Sequence, residues 1–399
     1  MVATERADVV VVGGGPAGSS TATHLARAGL HVVLFDKARF PREKACAEYC
    51  SPGVVDALDD LGALAHLQAS PHRELSGMRI TTPTEDFRLD FARDRPEGHR
   101  ALGMKRSSLD FELLRFASNH GVDIRDGTRV RAPIIDHGRV TGVRYKNGSS
   151  EGEIRSEFVV AADGLHSMVT RALGTDRRVR WPHRLGLVAR YACRDGLESI
   201  GQMHVGNGIY CGLSPVEDNV VNVALVVPME AKPRGVSTGE FFEQSLKALP
   251  GIAAELAGAE RVTRVRGLGP LARNVRHVAG NGYLAVGDAA GFFDPLTGEG
   301  VHRALRGGEL AAMATLDALE QPERFPAGYR RARSEHFGDK ERVCQIIQLL
   351  LTSGTTLNYA ARRAAKREPV NRLLCGVLGD YVSAKAALRP SFLWHLFRP

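Results

Sequence analysis

Three glycine-bearing stretches contain the residues able to do chemistry. Gly13, Gly15 and Gly18 are spaced as GxGxxG between an apolar run, DVVVV, and a segment of small residues, and Asp36 closes a second apolar run, HVVLFD. Glycines at that spacing let the main chain approach a pyrophosphate, the following helix offers free N–H groups, and the carboxylate accepts hydrogen bonds from a ribose. A bound dinucleotide is predicted, with Pro16 and Ala17 opening the helix beneath it. The fingerprint occurs once, since GLGPLA near 267 is no second copy, so one dinucleotide is held tightly. Farther along, Asp163 and Gly164 follow the apolar FVVA. Gly287 to Gly300, GDAAGFFDPLTGEG, follows the apolar YLAV and brings four glycines, Pro295 and three carboxylates to the end of a buried run.

The elements that must position these residues read as alternating strands and helices. DVVVV suits a strand buried on both faces, PAGSSTATHLARA a helix ended by Gly29, and HVVLFD a second strand, which together make a βαβ unit. RSSLDFELLRFASNH, from Arg106, places Leu109, Leu113 and Phe116 at helical spacing, and FVVA and YLAV join the same sheet. Residues 181–271 instead show strand-like runs such as LGLVARYAC and NVVNVALVV, which predicts an inserted β-rich domain. Beyond Gly300 the pattern is helical.

Composition excludes several classes. A chain of 399 residues, 43% hydrophobic and 25% charged, is neither disordered nor fibrous. Its net charge of +8 comes from scattered arginines that attract anions in general, and no nucleic-acid motif accompanies them. Cys46, Cys50, Cys193, Cys211, Cys344 and Cys375 show no paired spacing and no secretory signal, so reduced thiols in the cytoplasm are expected, and no metal site. The longest apolar runs fall short of the ~20 residues that cross a bilayer. The C-terminal stretch mixes arginines with apolar anchors in SFLWHLFRP, which allows peripheral contact with a membrane or a cover over a greasy substrate tunnel.

Taken together in this order, the fingerprint, ADGLHSMVTR and GYLAVGDAAGFFDPLTGEG resemble the three-part signature of flavoproteins built like para-hydroxybenzoate hydroxylase. The resemblance covers the flavin-binding elements. It implies FAD as resident cofactor, with NAD(P)H as a transient reductant. By it, Asp288 beside Gly287 holds the ribityl chain, Pro295 with Gly298 to Gly300 forms the flavin-facing loop, Asp163 and Gly164 match the Asp-Gly motif, and Arg106 reaches the phosphate or ribityl chain. Lys37 and Val130 are assigned to the cofactor too. Within the superfamily, PLTGEG and Lys44-Ala45-Cys46 look most like the geranylgeranyl reductase branch, although Ala47-Glu48-Tyr49 replaces its glycines and Tyr210-Cys-Gly-Leu-Ser-Pro215 replaces its aromatic YxWxFP pattern. The tryptophan-rich WxWxIP motif of flavin halogenases is absent.

The implied fold is α/β: a Rossmann-type FAD-binding domain (1–75, 105–180, 272–330), an inserted β-rich substrate domain (76–104, 181–271) and a helical C-terminal region (331–399). Cys46, Glu48, Tyr49, Tyr210 and Pro295 are the candidate catalytic residues. The first reading of function is an NAD(P)H- and O2-using monooxygenase acting on a hydrophobic aromatic or polyketide-like molecule. Reduction of prenyl C=C bonds is the alternative, and a non-catalytic flavin carrier the third.

Overall fold

The computed structural model describes residues 5–179, 181–193, 198–206, 208–249 and 251–397. Strand β1 (Glu5–Val12), helix α1 (Pro16–Arg27) and strand β2 (Val32–Phe35) form the expected βαβ unit. β1 pairs in parallel with β2 on one side and with Ser150–Ala161 on the other. Tyr283–Ala285 and Asp123–Arg125 extend the sheet in parallel at its two sides. Val9, Val10 and Val11 are fully buried because both faces are covered, which is why the run shows no polar alternation. α1 and the helix Gly300–Glu320 cover one face, and the antiparallel hairpin Arg129–Asp136 with Arg139–Asn147 packs with the other.

The second sheet carries, in spatial order, Glu260–Arg261, Arg184–Ala192, Val220–Pro228, Ile209–Glu217, Gly201–Gly206, Gly77–Thr81 and Asp86–Asp90. Its period-two pattern sorts side chains between two layers. Val221, Val223, Leu225 and Val227 pack with Phe241, Phe242 and Leu246 of the helix Thr238–Lys247, while Ala224 and Val226 line the space above the first domain. The sheet therefore acts as a roof.

Helices Ala327–Leu351, Gly354–Lys366, Glu368–Leu378 and Pro390–Phe397 close the far edge of the roof, with Ala364, Val370 and Leu396 packed around Phe87. They are clasped to the first domain by Asp380, which accepts from Ser51 Oγ and Lys340 Nζ at 2.7 Å each.

Candidate active site

At the end of β1 the three glycines have separate reasons to lack a side chain. A β-carbon at Gly13, whose φ is +112°, would stand 2.4 Å from the Ala162 carbonyl oxygen, and one at Gly18 would stand 1.8 Å from the Gly13 oxygen. Those two glycines are demanded by packing. At Gly15 the nearest atom would be a guanidinium nitrogen of Arg42 at 3.7 Å, so this glycine leaves space open where a pyrophosphate approaches. Asp36 fastens the turn: Gly14 N–H and Ala38 N–H donate to its carboxylate at 2.8 Å each.

Buried Asp110 gathers two arginines over this turn. Arg106 donates to it through two nitrogens at 2.8 and 2.9 Å, and Arg42 through one at 2.9 Å. Burial alone would lower the Arg106 pKa, but the Asp110 carboxylate prevails and holds it above the ordinary value. Lys44 faces the same space with no ion pair among the described residues, and burial, aided by the Arg106 charge, lowers its ammonium pKa. Asp163 accepts from Met168 N–H at 2.6 Å while its other carboxylate oxygen is buried without a partner. Burial raises its pKa. The open space beside Gly15 and the unpaired lysine fit an anionic dinucleotide, while Asp163 lies behind the cavity wall formed by Ala162, Gly164 and Leu165.

A cavity of about 1170 Å³ of empty space, its open mouth included, runs past these residues. Gly15, Pro16, Ala17, Lys44, Ala45, Cys46, Arg106, Gly164, Gly287, Asp288, Pro295, Gly298 and Gly300 all line it, which brings most of the expected cofactor residues together. Gly287 sits at φ +57°, where a β-carbon would press to 2.9 Å on Ala17, so Asp288 is delivered beside α1 by a turn only glycine fits. The helix Gly300–Glu320 begins at the cavity wall, with its free N–H groups at the loop. Lys37 is exposed just past Asp36, and the Val130 side chain is buried in the core beneath the sheet rather than on the cavity.

A second cavity, about 1510 Å³ of empty space with its open mouth included, shares the wall residues Ala47, Tyr49, Pro295 and Gly298 with the first. Its walls come from the roof and the C-terminal helices, among them Met203, Leu213, Ile347, Leu351, Leu374 and Leu388. No charged side chain lines it among the described residues, and its polar side chains are Tyr49, Thr82, Gln202, Ser214 and Thr297. Gln202 is spent on Glu255 and Ser214 on the Glu48 carbonyl. The Tyr49 ring stands where the two cavities share a wall, while its hydroxyl is buried without a partner on the side of Asp380 and Cys375, and burial holds its pKa well above the ordinary tyrosine value.

The catalytic candidates divide. Cys46, Tyr49 and Pro295 stand on the cavities, and Glu48 N–H lies 3.4 Å from Cys46 Sγ. Glu48 and Tyr210 do not, which corrects their assignment. Both Glu48 oxygens are taken by Arg190, and one also by Arg106 N–H, so its carboxyl anchors the loop. Tyr210 lines neither cavity and donates to buried Asp294 at 2.5 Å, tying the roof sheet to the loop that carries Pro295. Arg42 escaped the sequence reading. Its only signal was a basic residue two positions before Lys44, which is common on any surface loop.

The chain is similar to known proteins in sequence and fold. The chain is 29% identical over 322 residues to digeranylgeranylglycerophospholipid reductase of Methanosarcina acetivorans, covering 78% of this chain and 75% of that one. It is 30% identical over 346 residues to tryptophan 2-halogenase of Chondromyces crocatus, covering 82% of this chain and 65% of that one. Its fold matches that of a geranylgeranyl bacteriochlorophyll reductase-like protein from Thermoplasma acidophilum with a TM-score of 0.81 at 22% identity, over 96% of this chain and 99% of that one. The family described as FAD binding domain matches residues 6–310, and with the cradle fitted to that cofactor the chain belongs to it as an FAD-dependent oxidoreductase.

Proposed function

We propose that this protein reduces carbon–carbon double bonds in a long isoprenoid lipid. The observation that supports the reading is the second cavity: apolar, without a charged wall residue among the described residues, and sharing the wall residues Ala47, Tyr49, Pro295 and Gly298 with the cofactor cavity. An aromatic substrate positioned for hydroxylation calls for polar groups to fix its ring, and here Gln202 and Ser214 are already engaged. The likeness to a reductase of geranylgeranyl lipids supports the same choice.

FAD, which Gly15, Lys44, Arg106 and Asp288 would hold, would supply a hydride for one carbon of the double bond, with NAD(P)H as the reductant that restores it. The chain supplies the rest. Apolar walls align the prenyl chain and exclude water, and Pro295 with Gly298 shapes the floor beneath it. The proton for the other carbon is assigned to the Tyr49 hydroxyl, kept protonated by burial. It reaches the cavity, and solvent for its own reprotonation, when the side chain swings out from the side of Asp380 and Cys375.

The test is anaerobic turnover of the reduced holoenzyme with a geranylgeranyl lipid, followed by mass spectrometry. Gain of two hydrogens per saturated bond without O2 is expected. Oxygen incorporated into an aromatic product under air, with no saturation of the prenyl chain, would overturn the reading in favour of the monooxygenase.

A further inference from the structure

The walls of the apolar cavity have an outer side as well as an inner one. On the helix Ala327–Leu351, Ile346, Ile347 and Leu350 line the cavity, while Leu349 between them is 59% exposed. Ile346 is itself 40% exposed, so this wall of the cavity is one side chain thick. The helix Pro390–Phe397 repeats the pattern: Phe392 and Leu396 face inward, and Trp394 is 63% exposed. Two large apolar side chains thus stand in water on the elements that enclose the cavity.

The charges that follow on the C-terminal elements are mostly positive. Residues 354–397 hold seven Lys and Arg against two Asp and Glu. Lys366, Lys385 and Arg389 are exposed, make no ion pair among the described residues, and stand within two or three positions of the cavity-lining Ala364, Ala387 and Leu388. What sets Leu349 and Trp394 apart from other exposed apolar residues is that they sit on the elements that wall the cavity, which also carry cations without ion pairs among the described residues. A surface that enters the headgroup layer of an anionic bilayer gains from both, since the apolar side chains bury among acyl chains and the cations meet phosphates.

We propose that this C-terminal wall docks on an anionic lipid bilayer and that the cavity takes its substrate directly from the membrane. The inference rests on the isoprenoid-lipid reading above. No helix among the described residues is long and apolar enough to cross a membrane, so the contact is peripheral.

The test uses the FAD-loaded full chain and vesicles of phosphatidylcholine, alone or mixed with phosphatidylglycerol. Co-sedimentation with the mixed vesicles that weakens as salt rises is expected. The pair Leu349→Asp and Trp394→Asp should weaken it about tenfold, and Lys366→Glu with Lys385→Glu and Arg389→Glu should remove the dependence on phosphatidylglycerol. None of these side chains lines a cavity, so the flavin spectrum and melting temperature stay as in the parent, and detergent-dispersed prenyl lipid is still turned over while vesicle-borne lipid is not. Vesicle binding without turnover of either form would retain the docking and remove the substrate reading. Failure of the parent protein to bind either vesicle overturns the docking. So does a dimer in solution that Leu349→Asp dissociates, because the face would then belong to a second copy.

Discussion

Arg190 Nε donates to Glu48 Oε2 at 2.8 Å across the seam between the roof sheet and the loop that carries Lys44 to Tyr49. The pair does mechanical work, because Glu48 holds the left-handed φ of +57° and so turns Cys46 and Tyr49 onto the cavities on either side of it. Removing one partner strands the other charge in the interior. Arg190→Ala is expected to destabilise the fold by about 3 kcal/mol and to loosen the loop. Denaturant unfolding checks the first effect, and slower turnover with FAD still bound checks the second. Arg190→Lys keeps a charge but loses the fork that grips both oxygens, and should recover less than half of the loss.

The glycine turn allows ligand approach to be separated from packing. Gly15 has φ −81°, which alanine tolerates, and open space where its β-carbon would point. Gly15→Ala should therefore fold with an unchanged melting temperature in the apo form but bind FAD at least about tenfold more weakly. Gly18→Ala would drive a methyl group into the Gly13 carbonyl, and should lose stability outright by several kcal/mol. Thermal melts of the two apoproteins distinguish these outcomes.

The contrast between those two glycines marks what was legible in the sequence. The βαβ unit, the roof strands and the helical C-terminus announced themselves by local period, and the cofactor residues by short spacing. The residues whose identity depends on distant partners did not. Glu48 meets Arg190 across 142 positions and Tyr210 meets Asp294 across 84, so each reads locally as a free acid or phenol near a flavin. Arg42 is defined by Asp110, 68 positions on, and Asp110 looks from the sequence like any carboxylate on an amphipathic helix. The apolar cavity was legible only as a greasy tunnel that the C-terminal stretch could cover, because its wall is assembled from four C-terminal helices, several roof strands and the loops at Tyr49 and Pro295, which lie far apart in the chain.

Asp288 tests the cofactor assignment. It lines the cavity at the turn after Tyr283–Ala285, where a carboxylate can accept from ribityl hydroxyls. Asp288→Ala removes one or two charge-assisted hydrogen bonds of roughly 1.5–3 kcal/mol each, which lowers FAD affinity by at least about tenfold. The ratio of flavin to protein absorbance after dialysis measures it. Full retention of FAD would remove Asp288 from the cofactor site.

Stability should fall early on the acid side. His302 and His336, stacked with centroids 6.4 Å apart, join the first turn of the helix Gly300–Glu320 to the helix Ala327–Leu351. Burial lowers both pKa values, although Asp380 partly opposes this at His302. Because the folded pKa values lie below the unfolded value of about 6.5, their contribution is whole above that pH and is lost as the pH falls towards the folded values. Asp380 is also lowered, with Lys340 and His302 outweighing its burial, so its contribution fails only in stronger acid. Asp294 and Glu299, raised by burial, act in the opposite sense. The melting temperature is expected to drop just below about pH 6.5, and His302→Asn with His336→Asn should flatten that drop.

Tyr49 carries the last prediction. Its ring is lodged between the roof and the flavin-facing loop: a β-carbon at Gly201 would come within 3.2 Å of Cε2, and one at Gly298 within 3.5 Å of Cδ1. Those contacts are made by ring carbons, so Tyr49→Phe keeps them, and it removes a buried hydroxyl that has no partner. Stability should be unchanged or slightly higher, and FAD binding unaltered. If the hydroxyl delivers the proton, steady-state reduction of a prenyl substrate falls by about 10²–10⁴-fold, while the solvent deuterium isotope effect of the parent enzyme disappears or changes. A Phe variant with normal turnover and the same isotope effect would leave Tyr49 a wall residue and require the proton to come from another group.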